Sequence, residues 1–350
     1  MLAVPTIVAL LACGGAQPAP ADADAPFART LPPPPAPPAA ATGPELSLIP
    51  GPDLVGLCDA SAAVAIGDRL VVADDEHNVL RVFDWSRAAE GAAPPVASID
   101  LTALSPLFAG KEADLEGVAA MPDGTVWFTA SHDSGKDTER QPQRQRLFAL
   151  RFADDAASAT LAQGPATGLI DAGQEQSQLY GIVVNTVGHT SKDPEGLSIE
   201  GLAAGPDGSL LIGFRAPVHG GKALIERLDD PVAFAGGAAP TFTGPRWIDL
   251  GGRGIRSLER EGDGTYLLIG GSPGEDDASF LLYRWHGFDD GAPPERLAVA
   301  FGDLHPEALV RAGGAWWVLS DDGRRDIDGK DCKKLPAEAR RARTARLVGL

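Results

Sequence analysis

One short pattern, strand then tight turn then strand, recurs five times in this chain of 350 residues. That recurrence restricts the available folds more than any other feature. Its fullest copy is Asp193–Pro217, DPEGLSIEGLAAGPDGSLLIGFRAP. Side chains alternate faces along a strand, so Ser198, Glu200 and Leu202 share one side of Ser198–Ala204. Pro206-Asp207-Gly208 has turn chemistry, because proline presets φ and glycine accepts the positive φ that other residues avoid. Leu210-Leu211-Ile212 then runs as an apolar strand to Gly213-Phe214-Arg215. In such a hairpin Glu200 and Arg215 fall at one edge.

The other copies are Ala60–Asp75, Asp114–Asp133, Gly254–Ser272 and His305–Asp322. Each of the first four is followed by a further β-rich run: Val79–Trp85, Arg146–Phe152, Lys222–Leu228 and Phe280–Trp285. A fourth extended run often comes next, as in Val96–Leu101, Thr243–Leu250 and Arg296–Phe301. The units repeat about every fifty to fifty-six residues, with one interval of about eighty-four, and units of this size with four strands indicate propeller blades. The chain is therefore expected to be an all-β β-propeller of five blades, six being the alternative. Only Arg343–Leu350 remains as a strand after the fifth unit, so Glu45–Ile49 is expected to complete that blade and close the ring, leaving no exposed strand edge. The long interval holds Ile170–Lys192, expected as a loop over one face. Pro336–Arg346, PAEARRARTAR, has helix-favouring residues and is expected to form a turn or two.

The 42 glycines and 30 prolines suit many short strands joined by turns. A net charge of −18 excludes nucleic acid as a natural partner, since phosphate binding needs a basic face. Leu2–Ala12 is apolar, and Leu10-Leu11-Ala12-Cys13-Gly14 resembles a bacterial lipobox, in which the cysteine is lipidated. Residues 1–13 are thus expected to be a lipoprotein-type signal with Cys13 as the lipidation site, and 14–43 an Ala/Pro-rich disordered tether. The propeller domain is expected over 44–350. No other segment approaches the roughly 20 apolar residues of a spanning helix, so membrane contact would come only through the anchor. Cys58 and Cys332 sit near the two ends of the folded part. An oxidising compartment permits a bridge between them, and spacing alone leaves bridged and free states open.

In a propeller, the residues that begin the innermost strands and those that end the second strands converge on one mouth. The first set reads Ala62, Glu116, Glu200, Arg256 and Glu307, and two residues earlier Ala60, Asp114, Ser198, Gly254 and His305. The second set adds Asp74, Asp75, Ser131, His132, Asp133, Arg215, Ser272, Asp321 and Asp322. Converging carboxylates are hard oxygen ligands, which makes Asp114, Glu116, Glu200 and Glu307 candidate ligands for Ca²⁺. Arg215 and Arg256 are fork donors that could hold an anion, with Ser131 and Asp133 beside them. Glu200, His132 and His305 are the candidate acid–base groups. The competing interpretation is that Glu and Arg simply neutralise one another round a narrow channel. Serine-hydrolase, zincin, thiol-redox and P-loop motifs are absent from the sequence.

At DLEGV (114–118), SHDSGK (131–136), KDPEGLSIEGLA (192–203), LLIGFRAP (210–217), GRGIRSLE (252–259) and HPEAL (305–309) the chain resembles the bacterial propeller family known as domain of unknown function 3616. More distantly, the Glu-Gly start of the inner strands is similar to phytase-like and esterase-like propellers. The resemblance implies a propeller with a polar mouth and brings no established activity. The first unit departs from the pattern, with Ala60 and Ala62 where the others carry charge. The expectation is a monomeric, lipid-anchored protein of the cell envelope, periplasmic or at the cell surface. Its mouth would bind a small anionic molecule and perform metal-assisted ester or phosphoester hydrolysis. The alternative is a non-catalytic scaffold that docks another envelope protein.

Overall fold

A computed structural model describes residues 39–350 except 87–90, 136–137, 171–178, 180–181, 184, 263 and 275–278. Cys13, the signal and most of the tether therefore lie outside the described residues, as does much of the insertion.

The five repeats become five antiparallel meanders, each starting at its innermost strand. The first comprises Ala62–Ile66, Arg69–Ala73, Val79–Asp84 and Pro95–Asp100; the second Leu115–Ala120, Val126–Ala130, Leu147–Phe152 and Ala159–Ala166. The third comprises Ser198–Ala204, Leu210–His219, Lys222–Leu228 and Arg246–Asp249; the fourth Gly254–Gly262, Thr265–Gly271, Leu281–Trp285 and Glu295–Ala298. In the fifth, Pro306–Ala312, Ala315–Ser320 and Thr344–Val348 are joined at the outer edge by Ser47–Pro50. This N-terminal strand pairs antiparallel with the last one, Ser47 opposite Val348 and Pro50 opposite Ala345, as the closure argument expects. Thr42–Glu45 is also strand and extends the fourth sheet in parallel beside Glu295–Ala298.

A further sheet of three strands, Arg341–Ala342, Pro52–Val55 and Gly91–Ala93, has no counterpart among the repeats. Counted by sheets of three strands or more, the β-propeller carries six blades, the alternative to the expected five. The extra sheet was not visible as a unit because its strands are only two to four residues long and come from three distant segments. The expected helix near the C-terminus is a single 3-10 turn, Ala337–Ala339, since the flanking residues enter sheets instead. Among the described residues no helix is long and apolar enough to cross a membrane.

The inner strands pack in order round the axis, the fifth returning to the first. Alternation along each strand sends one face into each neighbouring interface, giving a separate apolar core between successive meanders. Val118 and Phe128 face the first meander, whereas Ala119 and Trp127 face the third. Trp316 and Trp317 divide in the same way, Trp316 toward the fourth meander and Trp317 toward the first, edge-on to Trp85 at 4.9 Å. The Glu-Gly pairs have a packing reason. A Cβ on Gly117 would lie 2.8 Å from the Leu202 Cβ, and one on Gly201 2.9 Å from the Leu258 Cβ. Glycine therefore lets adjacent inner strands approach, while the preceding glutamate faces the axis. Cys58 and Cys332 are joined by a disulfide, with Cα atoms 5.9 Å apart.

Candidate functional site

The inner strands surround a narrow cavity of about 10 Å³, no more than one water molecule needs, lined by residues from all five meanders, including Ser61, Glu116, Glu200, Ser257, Glu259 and Leu309. Two kinds of charged assembly lie round this axis.

The first is an ion-pair network. Arg256 places Nε 3.0 Å from Glu200 Oε2 and a second nitrogen against Glu307 Oε1. Arg215 Nη1 donates to Glu200 Oε1 at 3.0 Å and its Nη2 to the Gly274 carbonyl at 2.8 Å. Glu200 is only 4% exposed and Glu307 8%. Both predicted anion-binding arginines are thus committed to internal acids, and three of the four predicted metal ligands pair with arginines, Glu200 and Glu307 here and Asp114 with Arg144. Here the geometry follows the competing interpretation, mutual neutralisation.

The second is a set of crowded acids. Ligand oxygens of Asp75, Asp114 and Glu116 all lie within 4.8 Å of one another. Asp75 comes from the end of the second strand of the first meander, the unit whose inner strand offers only Ala60 and Ala62, so it supplies the carboxylate that strand lacks. Burial, then the neighbouring Asp59, Asp114, Asp321 and Asp74, push the Asp75 carboxyl well up. Burial, then Glu200, Asp114 and Asp75, do the same to Glu116. Asp114 is pushed up to about 7 by burial and Asp133, against the pull of Arg144. Among the described residues neither Asp75 nor Glu116 makes an ion pair, and Asp75 Oδ1 is enclosed with no hydrogen-bond partner.

Arg144, from the turn before the third strand of the second meander, organises the adjoining loop. It grips both Asp133 oxygens at 2.7 and 2.8 Å, lies 3.0 Å from Asp114 Oδ2, and donates to Glu112 at 3.0 Å. Ser131 Oγ donates to Asp114 Oδ2, and Ser131 N to the Asp114 carbonyl at 2.8 Å. Ser131 and Asp133 therefore build the support for Asp114. Asp114 and His132 have φ of 60° and 57°, a region costly for residues with a Cβ and concentrated at functional sites. Ser134 Oγ donates to the His189 carbonyl at 2.8 Å, tying the end of the insertion to this loop.

The three predicted acid–base residues take different partners. His132 is fully buried, and its Nδ1 donates to the Ala130 carbonyl at 2.8 Å. His305 is exposed, its ring 6.0 Å from that of Phe280. Glu200 belongs to the ion-pair network. Sequence reasoning missed Arg144, for which no repeat position pointed inward, and Glu259, whose carboxyl burial pushes up to about 8. It also missed Asp59, pushed up to about 8 by burial and by Asp321, with which it shares a hydrogen bond.

These shifts set a pH dependence. Asp59, Asp114, Glu226 and Glu259 have folded-state values of about 7 to 8, above their unfolded values near 4. Between about pH 4 and pH 8 the folded state binds more protons than the unfolded one, so stability falls as pH rises. In EDTA the melting temperature is expected to be several degrees lower at pH 8.5 than at pH 5.5. A flat or rising profile by scanning calorimetry would contradict this electrostatic account.

No curated protein matches the sequence. Two solved structures are similar in outline. The GH43_1 enzyme from Xanthomonas citri shares 11% identity, covering 86% of this chain and 90% of that one, with a TM-score of 0.46. The PQQ-bound aldose sugar dehydrogenase from Streptomyces coelicolor shares 16% identity, covering 89% and 100%, with a TM-score of 0.44. The family match is more direct. The model of the family described as "Protein of unknown function (DUF3616)" matches residues 59–177 and 154–305, which span every inner strand but the last, and the chain belongs to that family.

Proposed function

We propose that the mouth of this propeller binds a hard divalent cation, Ca²⁺ first, through Asp75, Asp114 and Glu116. The observation that carries the proposal is that these three carboxylates crowd within 4.8 Å while Asp75 and Glu116 have no cation among the described residues. Glu200, Glu307, Asp74 and Asp133 lie nearby in the chain's charged set, and each has an arginine. Oxygen-only donors from two segments of the chain, Asp75 from one and Asp114 with Glu116 from the other, suit Ca²⁺, whose coordination is flexible, better than softer metals.

A small anionic molecule would then be held by the ion rather than by Arg215 and Arg256. A bound cation polarises a carbonyl or phosphoryl oxygen, which makes ester or phosphoester hydrolysis the activity to screen. The Cys58–Cys332 bridge supports an oxidising location, and the lipobox-like Leu10–Cys13 supports an anchor in the envelope. A scaffold that docks another envelope protein through the same face is the second reading, favoured if no cation binds.

The test is thermal unfolding with and without CaCl₂ at pH 8. Saturation at about a hundredfold above the dissociation constant stabilises by about 2.7 kcal/mol, or roughly 5 °C here. Glu116→Gln and Asp75→Asn are expected to abolish the rise. An equal rise in wild type and both variants would place the ion elsewhere and sink the proposal.

A further inference from the structure

The foot of the insertion carries a cluster of a different chemistry, built round an imidazole. His189, Asp193 and Glu195 place ligand atoms within 4.8 Å of one another, and among the described residues no other histidine joins such a group. His189 Nδ1 donates to Asp193 Oδ2 at 2.6 Å, which leaves the lone pair of the ring on Nε2. Nε2 faces Glu195 Oε2 at 3.7 Å, too far for a hydrogen bond. Two donors each about 2.0–2.2 Å from one tetrahedral ion lie roughly 3.4 Å apart. The gap between Nε2 and Glu195 is therefore within a few tenths of an ångström of what a shared ion would set.

These side chains are not needed to close the turn that carries them. Asp193 N donates to the Thr190 carbonyl at 3.0 Å, Gly196 N to the Asp193 carbonyl at 2.7 Å, and Val218 N to the Pro194 carbonyl at 2.9 Å. The last of these fastens the turn to the third meander, and Ser134 Oγ on the His189 carbonyl fastens it to the second. The backbone thus presents the cluster from a fixed loop. The side chains of His189, Asp193 and Glu195 are 28%, 39% and 60% exposed, so an ion can reach them from solvent.

We propose that His189 Nε2 and Glu195 bind a Zn²⁺ ion, with Asp193 as the outer carboxylate that orients the ring. A ligating histidine held by a carboxylate through its other nitrogen is a recurrent device at zinc sites. A nitrogen donor favours Zn²⁺ over Ca²⁺, which takes oxygen ligands, so this position is separate from the three acids of the mouth and does not depend on them. Two protein donors leave coordination positions open, and the ion could accept a further anionic or thiolate donor there.

The experiment is isothermal titration with ZnCl₂ of the full chain, stripped with EDTA and then saturated with CaCl₂, at pH 7. The wild type is expected to take up an equivalent of Zn²⁺ that His189→Ala and Glu195→Gln lose and Glu116→Gln keeps. Asp193→Asn is expected to weaken it by about 10–100-fold. If His189→Ala does not fold, Glu195→Gln decides alone, since that side chain is mostly exposed. Uptake unchanged in Glu195→Gln would overturn the proposal, and so would uptake lost in Glu116→Gln but kept in His189→Ala, or none by the wild type. The rise in melting temperature with CaCl₂ is read separately in Glu195→Gln, where it should persist.

Discussion

Arg256→Met is expected to destabilise the protein by about 3–5 kcal/mol, the usual result of removing one partner from a buried ion pair. Arg256 contacts Glu200 and Glu307. Glu200 would keep Arg215, but Glu307 makes no other ion pair among the described residues. Its carboxylate, 8% exposed, would then be left without a cation. Guanidinium unfolding at pH 7 measures the loss. Adding Glu307→Gln to Arg256→Met is expected to recover about half of it, because the stranded charge is removed as well. The surface pair Arg227 with Asp207 is the control, and Asp207→Asn should cost no more than about 1 kcal/mol. If Arg256→Met cost as little as the control, Arg256 would be free to hold an external anion, and the anion-clamp reading would return.

Removing the Cys58–Cys332 bridge should have a comparable effect by a different route. The two cysteines are 274 positions apart, so the link constrains nearly the whole folded chain in its unfolded state. Loop-closure entropy for so long a span gives a loss on the order of 5 kcal/mol, roughly 10 °C in melting temperature. The double variant Cys58→Ser/Cys332→Ser, melted beside the wild type with and without reductant, gives the number. Reductant should bring the wild type down to the variant and leave the variant unchanged. A variant that melts with the oxidised wild type would show that the outer strand pairing, Ser47–Pro50 on Thr344–Val348, secures the ring without help.

The ring was legible because its signal is periodic. Turn residues recur before each second strand, and Glu-Gly opens the inner strands at 116–117 and 200–201. The sheet of Arg341–Ala342, Pro52–Val55 and Gly91–Ala93 was not legible, since nothing local marks strands of two to four residues paired across such distances. For the site, repeat position showed which charges share an opening but not which partner each one takes. Glu200 and Glu307 occupy the same repeat position as Glu116, yet Arg256 claims both. Glu116 instead meets Asp75, which a strand-end position on another unit supplies. His132 stands in a motif that suggests chemistry, but its φ of 57° and full burial turn it toward the Ala130 carbonyl.

The seam of the ring bears on how the protein is made. Thr344 Oγ1 donates to the Pro52 carbonyl at 2.8 Å across 292 positions, beside the strand pairing that completes the fifth meander. A ribosome reaches Thr344 only after the four earlier meanders have been synthesised, so Ser47–Pro50 has no partner while the middle of the chain emerges. Its edge must wait, and a docking step that depends on Thr344–Val348 should limit the folding rate. Nascent chains stopped before Thr344 would be expected to bind holdase chaperones and resist maturation, however many of their earlier meanders had already formed.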